Sequence, residues 1–266
     1  MKVIKVCLPY ELKQVDVHLF ADEHIGDAQS DIKRLLNRIE IVKNDPKAYC
    51  VLNGDIIDYA SRSSIGDIES RVFNINGQIE KAVELFEPIK DKILAITKGN
   101  HEARAYVKEG IDITKMIAAQ LGLIDRYASG SAVLFIKAGT DGHGVHVSRR
   151  KRYVSQSNFI VYMVHGTGGG RKEGAKIIRL ADMSSIIDAD IYIHSHTHLP
   201  AIIREKFFRA STQTSTITEV DKLFINTAAN LDYGGYGEEK EYKPNSNVMP
   251  VLHLYTGRNP YYNATL

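Results

Sequence analysis

Residues 15–26 read Val-Asp-Val-His-Leu-Phe-Ala-Asp-Glu-His-Ile-Gly, an apolar run that stops abruptly at Asp22-Glu23-His24. The same form, a short Val/Ile/Leu-rich run ending in polar residues able to hold a metal, returns four more times. Tyr49 to Leu52 leads into Gly54-Asp55, and Ile93 to Ile96 into Gly99-Asn100-His101. Phe159 to Val164 leads into His165-Gly166, and Ile191 to Ile193 into His194-Ser195-His196-Thr197-His198. Runs of this kind, bounded by Gly and Asp, are expected of buried strands in an α/β or layered sheet protein.

Between the first two runs Ile32, Leu35, Leu36 and Ile39 recur at helical spacing, until Asn44-Asp45-Pro46 stops the element. Ile75, Ile79, Val83 and Phe86 repeat the pattern before Pro88. The first hundred residues therefore read strand, helix, strand, helix, strand, with parallel pairing. A further helix is expected around Asp112 to Leu121. The run Ala132 to Ile136 with the Asp141-Gly142 turn reads as a hairpin, which predicts a more antiparallel second half and a second sheet packed on the first. Arg204 to Tyr236 reads as short β-like stretches alternating with polar loops, and Val248 to Tyr255 as a closing strand. With no repeat or clear linker, one domain over 1–266 is the expectation.

With 44% hydrophobic and 25% charged residues, the 266-residue chain can bury a full core. Its 34 Lys and Arg against 32 Asp and Glu leave a net charge of +2, which argues against a nucleic-acid coat protein or a membrane-surface binder. Cys7 and Cys50 are too few for a disulfide framework or a Cys-based zinc site, and suit a reducing compartment. The opening residues lack a sustained apolar core and a small-residue cleavage site, and no run approaches the roughly 18 apolar residues of a membrane span. The expectation is a soluble, cytoplasmic protein with no membrane partner.

In open α/β sheets ligands gather beyond the carboxyl ends of the strands, so the five clusters are expected to converge. They offer carboxylates, imidazoles and one amide, a donor set suited to Mn, Fe, Zn or Mg rather than to a thiolate-loving ion. Taken in order, Asp22-Glu23-His24, Gly54-Asp55-Ile56-Ile57-Asp58, Gly99-Asn100-His101-Glu102, His165-Gly166 and Ser195-His196-Thr197-His198 resemble the motifs of the calcineurin-like metallophosphoesterase superfamily, over about two thirds of the chain. The resemblance implies an α/β fold, a layered β-sandwich of two mixed sheets flanked by helices in four α-β-β-α layers. It implies two divalent metal ions, Mn first and Fe, Zn or Mg as alternatives. Asp22, His24 and His198 would hold one ion, Asn100, His165 and His196 the other, and Asp55 would bridge both. His101 would stay unligated as general acid or transition-state stabiliser, with Glu102 orienting it. The chemistry is coherent in itself: two cations roughly 3.5–4 Å apart clamp a phosphoryl group and turn a bridging water into hydroxide. Asp58 is expected behind the ligands or in the turn.

One departure is Ser195, where the family usually has Gly, the residue that enters left-handed backbone freely; no ligand is lost by it. Asp16-Val17-His18 shares the Asp-x-His spacing but lies inside the apolar alternation, so the strand-end Asp22-Glu23-His24 is preferred. Singly, each residue also has an ordinary reading: His165 as a packed histidine, Asn100 as a turn residue beside Gly99, Glu102 as a first-turn acid of a helix. His194 reads equally as a packed histidine and is left outside the site. Arg149-Arg150-Lys151-Arg152 is either a solvated loop tip or a basic element that steers polyphosphate or nucleic acid and contacts substrate. Gly168-Gly169-Gly170-Arg171-Lys172 lacks Walker A spacing, and Tyr233-Gly234-Gly235-Tyr236 is either a base-stacking loop or a turn.

The expected function is hydrolysis of a phosphodiester. DNA and RNA come first as substrates, because Asp22 to Gly26 looks like the start of the repair-nuclease branch of the superfamily. A phosphomonoesterase acting on nucleotides or phosphoproteins, and a non-catalytic binding scaffold, are the alternatives.

Overall fold

The computed structural model describes residues 1–59, 73–140, 145–147, 152–167, 172–239, 241–244 and 246–266. The chain opens with β1 (Lys2–Cys7), β2 (Gln14–Phe20), α1 (Ile32–Asn44), β3 (Ala48–Asn53), α2 (Ile75–Phe86) and β4 (Ile93–Thr97). It continues with α3 (Asn100–Glu109), α4 (Ile113–Gln120), β5 (Tyr127–Ala128), β6 (Ala132–Ala138), β7 (Val145–Val147), β8 (Arg152–Val154) and β9 (Ser157–Met163). The remainder is α5 (Glu173–Ala181), β10 (Ile191–His194), β11 (Ala201–Ser211), β12 (Thr216–Asn226), the single turn α6 (Gly235–Glu239), β13 (Val251–Tyr255) and β14 (Tyr261–Thr265).

The helices start where the sequence supplies a cap. The Asp31 carboxylate accepts from Arg34 N at 2.8 Å, Asn74 from Gly77 N at 2.9 Å and Asp112 from Lys115 N at 3.1 Å, satisfying donors that a first turn leaves open. In α1 the buried stripe is Leu35, Ile39 and Val42, and Pro46 lies just past its end.

Two six-stranded sheets carry the fold, in the orders β14-β13-β2-β3-β4-β5 and β1-β6-β9-β10-β12-β11. The pairs β2/β3, β3/β4 and β9/β10 are parallel, and so are β4/β5 and β10/β12. Period-2 alternation sends opposite faces into different layers. Val17, Leu19, Val51 and Leu94 face the space between the sheets, where they meet Leu134, Ile136, Ile191, Ile193 and Leu223. Phe20, Leu52 and Ile96 point the other way, against Leu35, Ile79, Phe86 and Ile117 of α1, α2 and α4. Tyr192 and Phe224 stack at 4.7 Å on the outer face of the second sheet, with Leu180 of α5. This is the expected four-layer α-β-β-α sandwich of two mixed sheets.

Ala132 to Ile136 is not half of a local hairpin. Strand β6 pairs antiparallel with β9, setting Leu134 against Val161, and the intervening chain forms the separate β7/β8 ladder. Both strands are buried, so the best partner was the equally apolar run rather than the nearest one. Asp141-Gly142 lies outside the described residues. In place of the several short stretches expected over Arg204 to Tyr236, two 11-residue strands run over Ala201–Ser211 and Thr216–Asn226. Among the described residues no helix is long and apolar enough to cross a membrane.

Candidate metal centre

Strands β2, β3 and β4 of one sheet and β9 and β10 of the other end at the same place, and the loops that follow bring the five clusters together. The Asp22 carboxylate meets His198 Nε2 at 3.1 Å and accepts from the His196 backbone N–H at 3.1 Å. His165 Nε2 lies 3.2 Å from Asp55 Oδ2, 2.9 Å from Asn100 Oδ1 and 3.9 Å from Asp22 Oδ1. The imidazoles of His165 and His196 cross at a centroid distance of 5.4 Å, those of His24 and His198 at 5.6 Å. All seven expected ligands therefore line one site.

The donor atoms of Asp22, His24 and His198 lie within 4.8 Å of one another, and so do those of Asp55, His165 and His196. His24 Nε2 is buried with no hydrogen-bond partner, the position of a ring nitrogen that awaits a cation. The donor set fits two divalent ions, one among Asp22, His24 and His198 and one among Asp55, His165 and His196, with Asn100 Oδ1 beside the second group, 2.9 Å from His165 Nε2. A third group, His24, Asp58 and His101, meets the same distance criterion, but His101 Nδ1 is already spent on the Asp58 carbonyl.

The backbone is bent to present these side chains. Asp22, His24, Asp55, His196 and His198 have φ of 52°, 46°, 48°, 67° and 53°, a left-handed region that side-chain-bearing residues enter at a cost of roughly 1–3 kcal/mol each. Such strain survives only where the surroundings over-determine it. Ser195 itself is not among the left-handed residues; its neighbour His196 takes the turn, so the departure from glycine is accommodated. Gly99 is required for closeness: a Cβ there would sit 2.1 Å from Asp55 N and Oδ1.

Charges in the site are strongly mutual. Burial works against ionisation of Asp55, yet His165 and His101 hold its carboxyl well below the usual range. Burial opposes the His165 imidazolium too, but Asp55 and Asp22 raise it to about 10. For His24 burial prevails, with His101 adding repulsion, and lowers the ring to about 3. His101 is raised to about 9, since Asp55 and the Asp58 hydrogen bond outweigh burial.

His101 sits at the start of α3, its Nδ1 held by the Asp58 main-chain carbonyl and 3.4 Å from the Asp58 carboxylate. Its Nε2 faces Asp55 Oδ2 at 3.9 Å. Glu102, expected to orient that ring, does something else. Its carboxylate accepts from the backbone N–H groups of Ile56 at 2.6 Å, Asp55 and Gly99 at 3.1 Å and Ile57 at 3.2 Å. A buried acid at a helix N-terminus finds backbone donors closer than a neighbouring ring, and here they belong to the loop that carries Asp55. Orienting His101 falls to Asp58, which the Gly-Asp-x-x-Asp spacing contained but did not distinguish.

Sequence reasoning missed Asn53. Fully buried at the end of β3, it donates to Ser195 Oγ at 2.7 Å and to Val164 O at 2.9 Å, and accepts from Thr97 Oγ1 at 2.7 Å. Its own carbonyl meets His165 Nδ1 at 2.7 Å. One amide thus ties the ends of both sheets together. Glu23, between two ligands, pairs with Arg38 at 2.8 Å and faces away from the metal groups. The rejected Asp16 lies mid-strand, bound to Lys47 and His253. His194 is buried against Asn226 at 2.8 Å. Arg149, Arg150 and Lys151 lie outside the described residues, as do Gly168 to Arg171; Arg152 begins β8.

The chain matches the family described as calcineurin-like phosphoesterase over residues 16–200. A comparison with curated proteins finds no match. Among solved structures, a predicted phosphoesterase from Streptococcus pneumoniae is 12% identical, covering 91% of this chain and 83% of its own, at a TM-score of 0.32. A metallophosphoesterase from Sphaerobacter thermophilus is 11% identical over 90% and 83%, with a TM-score of 0.39. Vacuolar protein sorting 29 from Cryptosporidium parvum is 12% identical over 96% and 98%, with a TM-score of 0.43.

Proposed function

The chain belongs to the calcineurin-like phosphoesterase family, and from that premise we propose that it is a two-metal phosphodiesterase whose substrates include DNA or RNA. The observation that carries this is the pair of donor groups, Asp22/His24/His198 and Asp55/His165/His196, set side by side with His101 left outside both ligand sets. Mn²⁺ is proposed first, with Fe, Zn or Mg as alternatives, because mixed carboxylate, amide and imidazole donors suit all of these rather than a thiolate-loving ion. Two divalent ions in this place would supply Lewis-acid charge neutralisation and a water acidic enough to react near neutral pH.

The chain's own groups do the rest. Asp55 would hold an ion with His165 and His196 through Oδ2, 3.2 Å from His165 Nε2, while its Oδ1 accepts from the His101 backbone N–H at 2.8 Å. Glu102 fixes the loop carrying Asp55 by holding its N–H groups. Asp58 anchors His101 at Nδ1, which leaves the Nε2 proton for the departing oxygen of the ester. The basic run Arg149-Arg150-Lys151-Arg152 is proposed to contact a nucleic-acid backbone, and the two free thiols suit a reducing cytoplasm.

The test compares bis-p-nitrophenyl phosphate with p-nitrophenyl phosphate, with Mn²⁺ and with EDTA. Diester turnover abolished by EDTA supports the proposal and leads to labelled DNA and RNA. Monoester preference redirects it to nucleotides and phosphoproteins. A metal-loaded protein without turnover overturns the enzyme in favour of a binding scaffold.

A further inference from the structure

Strand β11 closes one edge of its sheet: β12 pairs with it along all of Ala201–Ser211, and among the described residues no strand pairs with its other side. The register sets Phe208 opposite Glu219 and Ala210 opposite Ile217, so Lys206, Phe208, Ala210 and Ile217 share one face. Phe208 is 73% exposed and Ile217 72%. Glu205, Phe207 and Arg209 occupy the other face. A long open edge with apolar side chains is a template for another strand.

We infer that a second copy of the chain covers this edge, β11 against β11, antiparallel about a two-fold axis at Phe207, joining two six-stranded sheets into one. A two-fold makes residue i oppose j wherever j opposes i, and the pleat allows only axes centred on a residue. Charge then selects among the centres. An axis at Arg204, Glu205, Lys206 or Arg209 sets a charge against its own copy. An axis at Phe208 leaves Glu205 against Ser211 and Arg209 against Phe207. An axis at Phe207 sets Glu205 against Arg209 twice, Lys206 against Phe208 twice and Arg204 against Ala210, with no like pair. Opposite charges directly across a ladder stabilise it and like charges disrupt it.

The ion pairs within the chain point the same way. Arg204 has Asp221, Lys206 has Glu219 and Arg209 has Asp188, whereas Glu205 has no ion-pair partner among the described residues. The two-fold supplies it with one.

Sedimentation of the full chain tests this. The expected mass is twice 29.7 kDa. Glu205→Arg, which turns both bridges into repulsions, should weaken self-association by about tenfold or more. The double variant Glu205→Arg/Arg209→Glu, which restores the bridges with reversed sign, should recover the dimer. Unchanged circular dichroism in each variant shows that the hairpin is folded; should Glu205→Arg unfold, Glu205→Gln gives the same direction with a smaller loss. A wild-type chain that stays monomeric at high concentration, or a dimer indifferent to residue 205, overturns the interface. A double variant that stays monomeric overturns the register.

Discussion

His101 is held at Nδ1 by Asp58 while its Nε2 stays open toward Asp55, the arrangement of a proton donor rather than a ligand. His101→Asn is therefore expected to cut turnover by roughly 10²–10⁴-fold while bound metal, counted by elemental analysis, stays the same. A variant that loses metal would make His101 a ligand. A second expectation concerns Asn53, whose amide holds Ser195 and Val164 from one sheet and Thr97 from the other. Ser195→Gly restores the residue usual in the family but removes one buried acceptor, and should lower unfolding free energy by roughly 1–2 kcal/mol in denaturant titration. Unchanged stability would mean that the Asn53 amide is satisfied without Ser195. At this scale the ligand types and their order were legible because each motif is local. Asn53 was not, since its partners lie 44 to 142 residues away in sequence. The left-handed turns at Asp22, His24, Asp55, His196 and His198 were hidden for a related reason: Asp and His enter that backbone more readily than most side chains, but tertiary contacts decide which of them do so.

Among the elements, β2 shows how a strand carries both the site and a pH dependence. It leads into Asp22, and along it His18 lies near Arg38 of α1; burial first, and the Arg38 charge second, lower that imidazole to about 4 from its ordinary 6.5. Between those values the unfolded chain binds a proton that the folded chain does not. Stability should therefore fall as pH drops from 6.5 toward 4 and level off below, with this one proton contributing at most about 1.4 kcal/mol per pH unit. Denaturant titrations of the wild type and His18→Gln over that window should diverge by that component; parallel curves would mean that His18 is protonated in the folded state. Strands β3, β4, β9 and β10 were legible as short apolar runs and β2 as an apolar alternation, each stopping at polar residues. β1 escaped, as Lys2, Val3 and Lys5 leave it mixed and half-covered at a sheet edge, and α5 escaped because Leu180 is its one fully buried side chain. The pairing of β6 with β9 was illegible for a different reason: hydrophobic pattern identifies a strand's buried face but not its partner.

For the whole molecule, the two sheets meet the site from opposite sides, with Asp22, Asp55 and Asn100 following one sheet and His165, His196 and His198 following the other. Each of the two donor groups takes residues from both sides. Ions bound there would cross-link the layers, so their binding energy should appear as stability of the entire chain. With free Mn²⁺ near a thousand times its dissociation constant the gain is about 4 kcal/mol, which for a chain of this size raises the unfolding midpoint by roughly ten degrees. Calorimetry with Mn²⁺ and with EDTA should then show a single transition that moves as one, as expected of one domain over 1–266. Asp55→Asn removes the one carboxylate of the Asp55/His165/His196 group and should abolish much of the shift. A transition that splits, with only one part responding to the ion, would divide the chain into two domains. A midpoint indifferent to Mn²⁺ in the wild type would deny the metal centre its structural role and, with it, the ground for two-metal chemistry at this site.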